Sequence, residues 1–291
     1  MNNDLFSLLQ QKASTLSKGH RLLAKYITES YEKAAYMTAS SLGKTVGVSE
    51  STVVRFATEL GYSGYPGMQK AMQEIVLNRL TAAQRIEVSN DRIGNQDVIT
   101  SVLRSDADKL LQTADMVDRE AFAAAVKAIQ NAKGIYVLGA RSAAPLANFL
   151  GYYLNFMFNN VQTVTASGAS EMFEKLFRVN EGDVIIAFSF PRYSAATVKG
   201  AQYCRTTGAK VIGFTDSYFS PLARHCDHVL LSKSDMVSFV DSLTAPFSLV
   251  NALLVALSSG REEILAKSFD TLERVWEEYN VYEKRVDGNE F

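Results

Sequence analysis

The run Gly182-Asp183-Val184-Ile185-Ile186-Ala187-Phe188-Ser189-Phe190-Pro191-Arg192-Tyr193-Ser194 passes from an unbroken apolar stretch into a polar turn, and a helix is expected to open near Ala195. The stretch is apolar on successive residues and not on alternate ones, which predicts a strand covered on both faces, as in a parallel sheet. Four further short β-branched runs flank it, at 135–138, 161–164, 211–214 and 229–231, each separated from the next by a segment of helical length. This alternation predicts an α/β fold over residues 105–260, a doubly wound five-stranded parallel sheet. Ligands of such sheets bind outside the carboxyl ends of the strands, so the loops that follow them are the candidate site.

Two of those loops carry the same chemistry. The first run ends in Gly139-Ala140-Arg141-Ser142-Ala143 and the third in the turn quoted above. Each offers hydroxyls, an arginine and the backbone N–H groups of an opening helix, a combination suited to an anion such as a phosphate. Gly139, Arg141, Ser142, Ser189, Arg192 and Ser194 are the candidate ligand residues. Serine is also the usual helix N-cap, so Ser142 and Ser194 read equally well as caps.

The first 80 residues have a different texture. Helical spacing runs over 18–30, 38–46 and 49–60, and between the last two lies Val46-Gly47-Val48, where Gly47 can end one helix in a left-handed conformation and Ser49 can cap the next. Leu42, Val46, Val48, Val53 and Phe56 then face inward in the order a helix-turn-helix needs, with Gly43 leaving room for the crossing. Ser49, Glu50, Ser51, Thr52 and Arg55 are left on the outer face at the start of the second helix, the part that enters a major groove in this motif. Arg55 can address guanine or phosphate. The alternative is a plain three-helix bundle with Arg55 as a solvated charge. The formal charge of −1 divides unevenly: residues 1–80 hold nine Lys/Arg against six Asp/Glu, a basic head on an acidic body. The excess is small, so binding of a double-stranded DNA operator is expected to need two copies of the head.

Gly47-Val48-Ser49-Glu50-Ser51-Thr52-Val53-Val54-Arg55-Phe56, followed by Glu59-Leu60-Gly61-Tyr62-Ser63-Gly64-Tyr65, resembles the helix-turn-helix of the RpiR/MurR family of regulators. The body is similar to the SIS (sugar isomerase) fold that follows it in that family, through Gly182–Ser189 and Thr207-Gly208-Ala209-Lys210-Val211-Ile212-Gly213-Phe214-Thr215. The resemblance implies a transcriptional regulator whose body senses a sugar phosphate. Family loops usually read Gly-x-Gly-x-Ser and Ser-x-Ser-Gly-x-Thr. This chain departs from both, with Arg141 and Ala143 for the second Gly and the Ser of the first loop, and Pro191-Arg192 for Ser-Gly in the second. Arginine side chains stand where the family uses bare backbone, which implies a more acidic ligand, a smaller one, or one other than a sugar phosphate.

SIS domains also serve sugar-phosphate isomerases, so an enzyme is the alternative reading. Isomerisation needs a carboxylate base and often a histidine. His20 falls in the head, His225 and His228 flank the last strand, and Glu171 and Glu174 lie on a helix where a solvated face is the ordinary reading. A third reading is a DNA-binding architectural protein with an unliganded body. The chain is 47% hydrophobic and 21% charged with five prolines, the composition of a folded globular protein. Cys204 and Cys226 lack zinc-site spacing and fit a reducing cytoplasm, and no cofactor or metal is implied. There is no signal-peptide pattern and no apolar run near the ~20 residues of a membrane span. A division into head (1–80), linker (81–104), body (105–260) and C-terminal helix (261–291) follows. The tail's Ile264, Leu265, Phe269, Leu272 and Trp276 form a stripe that must pack on the body or on a second subunit, as in a homodimer or dimer of dimers.

Overall fold

The computed structural model describes residues 5–12, 15–79, 97–165, 168–235 and 240–282. In the head, helices Lys18–Ala34, Ala39–Val46 and Glu50–Glu59 occupy the expected places. Gly47 ends the second in the left-handed region at φ 79°, and Ser49 caps the third by accepting from the Thr52 N–H. Gly43 lies against the turn, where a Cβ would stand 2.8 Å from the Val48 carbonyl oxygen, so the crossing requires glycine. Leu23, Ile27, Leu42, Val53 and Phe56 are fully buried in the core of the head, with Val46 and Val48 packed at its margin.

Two helices not anticipated from the pattern, Leu5–Lys12 and Tyr65–Arg79, complete that core. Leu5, Leu8 and Leu9 from one, and Tyr65, Met68, Met72 and Val76 from the other, follow the three-and-four spacing of a helical face. The second also ties off the end of Lys18–Ala34: Tyr65 Oη and Gln69 Nε2 donate to the Met37 carbonyl at 2.6 and 2.8 Å, and Gln73 Nε2 donates to that of Ala35 at 3.0 Å.

The body is built on five parallel strands, β1 (Ile135–Gly139), β2 (Val161–Val164), β3 (Val184–Phe188), β4 (Lys210–Thr215) and β5 (His228–Leu231), in the order β2-β1-β3-β4-β5. Successive side chains of β3 enter opposite cores. Ile186 and Phe188 pack with helices Arg119–Gln130, Ala144–Leu154 and Thr244–Ser258, whereas Ile185 and Ala187 pack with Ala169–Leu176 and Ala195–Thr206. Double coverage explains why the strand is apolar throughout. The connection from β4 to β5 holds a short 3-10 turn, Ala223–His225, where a helix was expected.

The helix before β1 begins earlier than its apolar spacing suggested. It spans Val98–Met116, opening inside the stretch read as linker, because Asp97 caps it by accepting from the Thr100 N–H. The rest of that stretch, 81–96, lies outside the described residues. Val98–Met116 packs along Thr244–Ser258 and is fastened to the segment before it. The Asp106 carboxylate accepts from Ser242 Oγ at 2.6 Å and Thr244 Oγ1 at 2.9 Å, and it pairs with the buried Lys109 at 3.4 Å. Further along, Thr113 Oγ1 accepts from the Lys233 N–H at 3.0 Å.

Burial works to raise the Asp106 pKa, but the two hydroxyl bonds and the Lys109 charge outweigh it and hold the carboxyl below its ordinary 3.8. A depressed carboxyl stabilises the fold above that ordinary value and loses its contribution as pH falls further. Asp106→Ala is expected to cost roughly 2–4 kcal/mol at neutral pH, because it leaves the Lys109 ammonium buried and unpaired. Asp106→Ala/Lys109→Met should recover part of that loss. Urea unfolding midpoints of the two variants check both statements, and equal midpoints for wild type and Asp106→Ala would remove this fastening.

Candidate functional site

In the order β2-β1-β3-β4-β5 the chain leaves β1 toward one side of the sheet and returns to pair with it on the other. Ligands collect at such a reversal because the loops diverge there and open a crevice. Gly139 at the end of β1 is in register with Phe188 at the end of β3, so the two arginine-bearing loops stand side by side. Between them lies a cavity of about 430 Å³, lined by Arg141, Ser142, Ser189, Arg192 and Ser194 among others. Its size falls within the ~300–1,000 Å³ common for small-molecule sites.

Five of the six candidate ligand residues therefore meet on one cavity. Gly139 does not line it. A Cβ at that position would stand 2.7 Å from the Ala143 carbonyl oxygen and 2.9 Å from Ala147 Cβ, so this glycine lets the following turn fold back on the strand. Val240 and Asp241, from the segment just before Thr244–Ser258, form a third side that no loop pattern pointed to. The same segment continues into Ser242 and Thr244, the partners of Asp106.

The two serines read as caps differ. Ser194 caps helix Ala195–Thr206, accepting from the Thr197 N–H at 3.4 Å. Ser142 sits in a 3-10 turn, Arg141–Ala143, and helix Ala144–Leu154 starts from Ala143 with no side-chain cap. The Ser189 N–H continues the sheet by donating to the Phe214 carbonyl, while its hydroxyl, on a residue 1% exposed, has no partner. A buried unpaired hydroxyl costs about 1–3 kcal/mol. Tyr193 Oη fixes the loop by donating to the Asp216 carboxylate at 3.0 and 3.2 Å.

Arg141 and Arg192, the residues standing where the family pattern has glycine, both adopt left-handed backbone, at φ 58° and 63°. The glycine conformation is kept although the glycine is gone. An L-residue pays roughly 1–2 kcal/mol for it.

The carboxylates and histidines weighed for catalysis lie elsewhere. Glu171 pairs with Lys175 at 3.2 Å, and Glu174 accepts from Ser170 Oγ at 3.0 Å. His225 accepts from Arg224 Nε at 3.1 Å, and burial, then the Arg224 and Arg205 charges, hold its pKa below the ordinary value. His20 is in the head, 2.7 Å from a Glu59 carboxylate oxygen and against the Phe56 ring. Burial pushes the Cys204 and Cys226 thiols up to about 12, so both stay protonated and unreactive at neutral pH. Among the described residues no group of three His, Cys, Asp or Glu could hold a metal ion, and no helix is long and apolar enough to cross a membrane.

In the head, Ser49, Glu50, Ser51, Thr52 and Arg55 all lie on the first turns of Glu50–Glu59, with Thr52 half-buried and the others exposed. The Ser49 hydroxyl is 2.9 Å from Ser51 Oγ and 2.8 Å from Thr52 Oγ1, and Arg55 Nε rests on the Ser51 carbonyl at 3.2 Å. Ser17, Gly19 and His20, at the start of Lys18–Ala34, share a shallow groove with Ser49, Thr52 and Arg55. The sequence reading passed over this second helix start. Its signal was present in Ser17, which caps the helix by accepting from the His20 N–H.

Comparison with known proteins agrees with both halves. Residues 3–77 match the helix-turn-helix domain of the rpiR family, and residues 128–256 match the SIS domain. An uncharacterized HTH-type transcriptional regulator of Clostridium perfringens is 25% identical over 74% of this chain and 76% of its own length. The sugar isomerase domain of the RpiR transcription factor from Sphaerobacter thermophilus is 30% identical, with a TM-score of 0.59 over 62% of this chain and 99% of that one. The NanR protein of Vibrio vulnificus, solved in complex with ManNAc-6P, shares the fold at 22% identity and a TM-score of 0.58, over 93% of this chain and 98% of that one. A head with this turn and cap, on a sheet with this strand order, places the chain in the RpiR family of helix-turn-helix transcriptional regulators, with a SIS domain as its body.

Proposed function

We propose that this regulator binds a small anionic metabolite of the phosphosugar type between the loops after β1 and β3, and that occupancy modulates operator binding without turnover. The carrying observation is the Ser189 hydroxyl, buried and unpartnered on a cavity that also presents Arg141, Ser142, Arg192 and Ser194. A bound oxyanion would supply the missing partner and accept from both guanidinium groups. ManNAc-6P in the NanR complex, a protein of the same fold, is a ligand of that chemical type. The absence of turnover rests on the cavity's lining, which includes neither Glu171, Glu174 nor a histidine to move a proton between sugar carbons. Asp241 is the carboxylate that an isomerase reading would have to enlist.

Modulation needs a route to the head. The wall at Val240 and Asp241 runs into Ser242 and Thr244, whose bonds to Asp106 grip Val98–Met116, the first described helix after the head. Residues 1–80 serve as the DNA-binding unit in this reading, and Ser49, Glu50, Ser51, Thr52 and Arg55 as its groove-facing residues. Pairing of heads falls to the tail helix, Glu262–Glu278. None of its residues is buried, and Ile264 and Phe269 are 49% and 38% exposed, which suits a homodimer contact.

Arg55→Ala is expected to weaken operator binding by ~1–3 kcal/mol, against one sequence if it reads a base and uniformly if it holds phosphate. Fluorescence anisotropy with operator and scrambled duplexes separates the two, and unchanged affinity for both would take Arg55 out of the interface. For the body, Ser189→Ala/Arg192→Ala should keep operator affinity but lose the response to inducing metabolite extract. A full response from that variant would place the pocket elsewhere. Steady aldose–ketose conversion of hexose or pentose phosphates, followed by NMR and abolished by Asp241→Asn, would establish an enzyme instead.

A further inference from the structure

Arg141 and Arg192 carry information about the ligand beyond its being an anion. Among the described residues three non-glycines have positive φ: these two and Asn280. Asparagine tolerates that region through local hydrogen bonding, whereas arginine gains nothing from it. Both strained arginines lie on the same cavity, one in each loop. Among the described residues neither guanidinium has a hydrogen-bond or ion-pair partner, so no internal contact accounts for the strain. Two unpaired cations facing one cavity also repel each other in the empty protein.

A single phosphate group would need only one of the loops. Helix Ala195–Thr206, the Ser189 hydroxyl and Arg192 already form a complete oxyanion cradle on the β3 side. On the β1 side, Arg141 and Ser142 stand before a helix with no side-chain cap, which makes a second and separate anion position. Asp241 contributes a carboxylate to the third wall, where like charge excludes an acid and favours hydroxyl groups.

We infer that the ligand carries two separated acidic groups, one set against each arginine, with hydroxyls between them: a phosphorylated sugar acid and not a phosphomonoester of a neutral sugar. The inference rests on the proposed sensor site and narrows it. Arg141 and Arg192 are then the specificity-determining residues, and the backbone strain at both is kept for the sake of their side chains.

The test uses the full-length protein at constant ionic strength, with thermal shift and calorimetry against four probes: inorganic phosphate, gluconate, glucose 6-phosphate and 6-phosphogluconate. The last is expected to bind at least tenfold more tightly than glucose 6-phosphate or gluconate. Arg141→Gly and Arg192→Gly are the informative variants, since glycine takes the left-handed backbone freely and the fold is preserved. Each should bring 6-phosphogluconate down to the affinity of a one-acid probe while moving the one-acid probe that meets the other arginine by less than threefold. Equal affinity for glucose 6-phosphate and 6-phosphogluconate would overturn the two-acid ligand and leave the sensor site standing. No binding of any of the four would overturn both.

Discussion

The pairing of β1 with β3, Gly139 opposite Phe188, is the contact on which the body's chemistry depends. Parallel strands must be joined by long crossovers, and here β2 lies on one side of β1 while β3, β4 and β5 lie on the other. Only at that reversal do two strand-to-helix loops lie beside each other without a helix laid across them. The register then decides which side chains meet. A shift of one residue would exchange the faces of β3, sending Phe188 and Ile186 out of one core and Ile185 and Ala187 out of the other. Packing on both faces therefore holds the two arginine loops level with each other.

The body keeps the scaffold of a sugar-phosphate binder and alters its surface chemistry. Left-handed turns persist after β1 and β3, so the path of the backbone is that of a glycine loop, while the side chains at those turns are the largest cations available. Local strain of this kind survives where the surrounding fold over-determines it. Tyr193 bonded to Asp216 at the end of β4, and Gly139 closed against Ala143 and Ala147, supply that constraint on the two sides.

Head and body are joined through an element neither owns outright. Val98–Met116 is capped by Asp97 at its start and gripped through Asp106 and Thr113 by the chain around β5 and Thr244–Ser258. The buried Lys109 makes that grip sensitive to geometry, because an ammonium out of water needs Asp106 and Ser105 close at hand. Movement of the cavity wall at Asp241 would be felt one residue later at Ser242.

The five strands, the turn at Gly47 and the cap at Ser49 were legible in the sequence because each is a local matter. Burial on both faces writes continuous apolar runs, and a left-handed turn followed by a cap writes Gly-x-Ser within three residues. The helices Leu5–Lys12 and Tyr65–Arg79 had the right spacing but unremarkable polarity, and Val98–Met116 hid its first turn behind exposed Val98 and Ile99. At the site, the sequence singled out both arginine loops but assigned Gly139 to a ligand when it serves packing, and it had no means of finding Asp241, which reaches the cavity from some fifty residues beyond Arg192. Strand order, the burial of the Ser189 hydroxyl and the left-handed backbone of Arg141 and Arg192 were decided only by tertiary structure. The physical reason is range: propensity and periodicity act over a few residues, whereas register, burial and strain are set by contacts between segments that the chain itself keeps far apart.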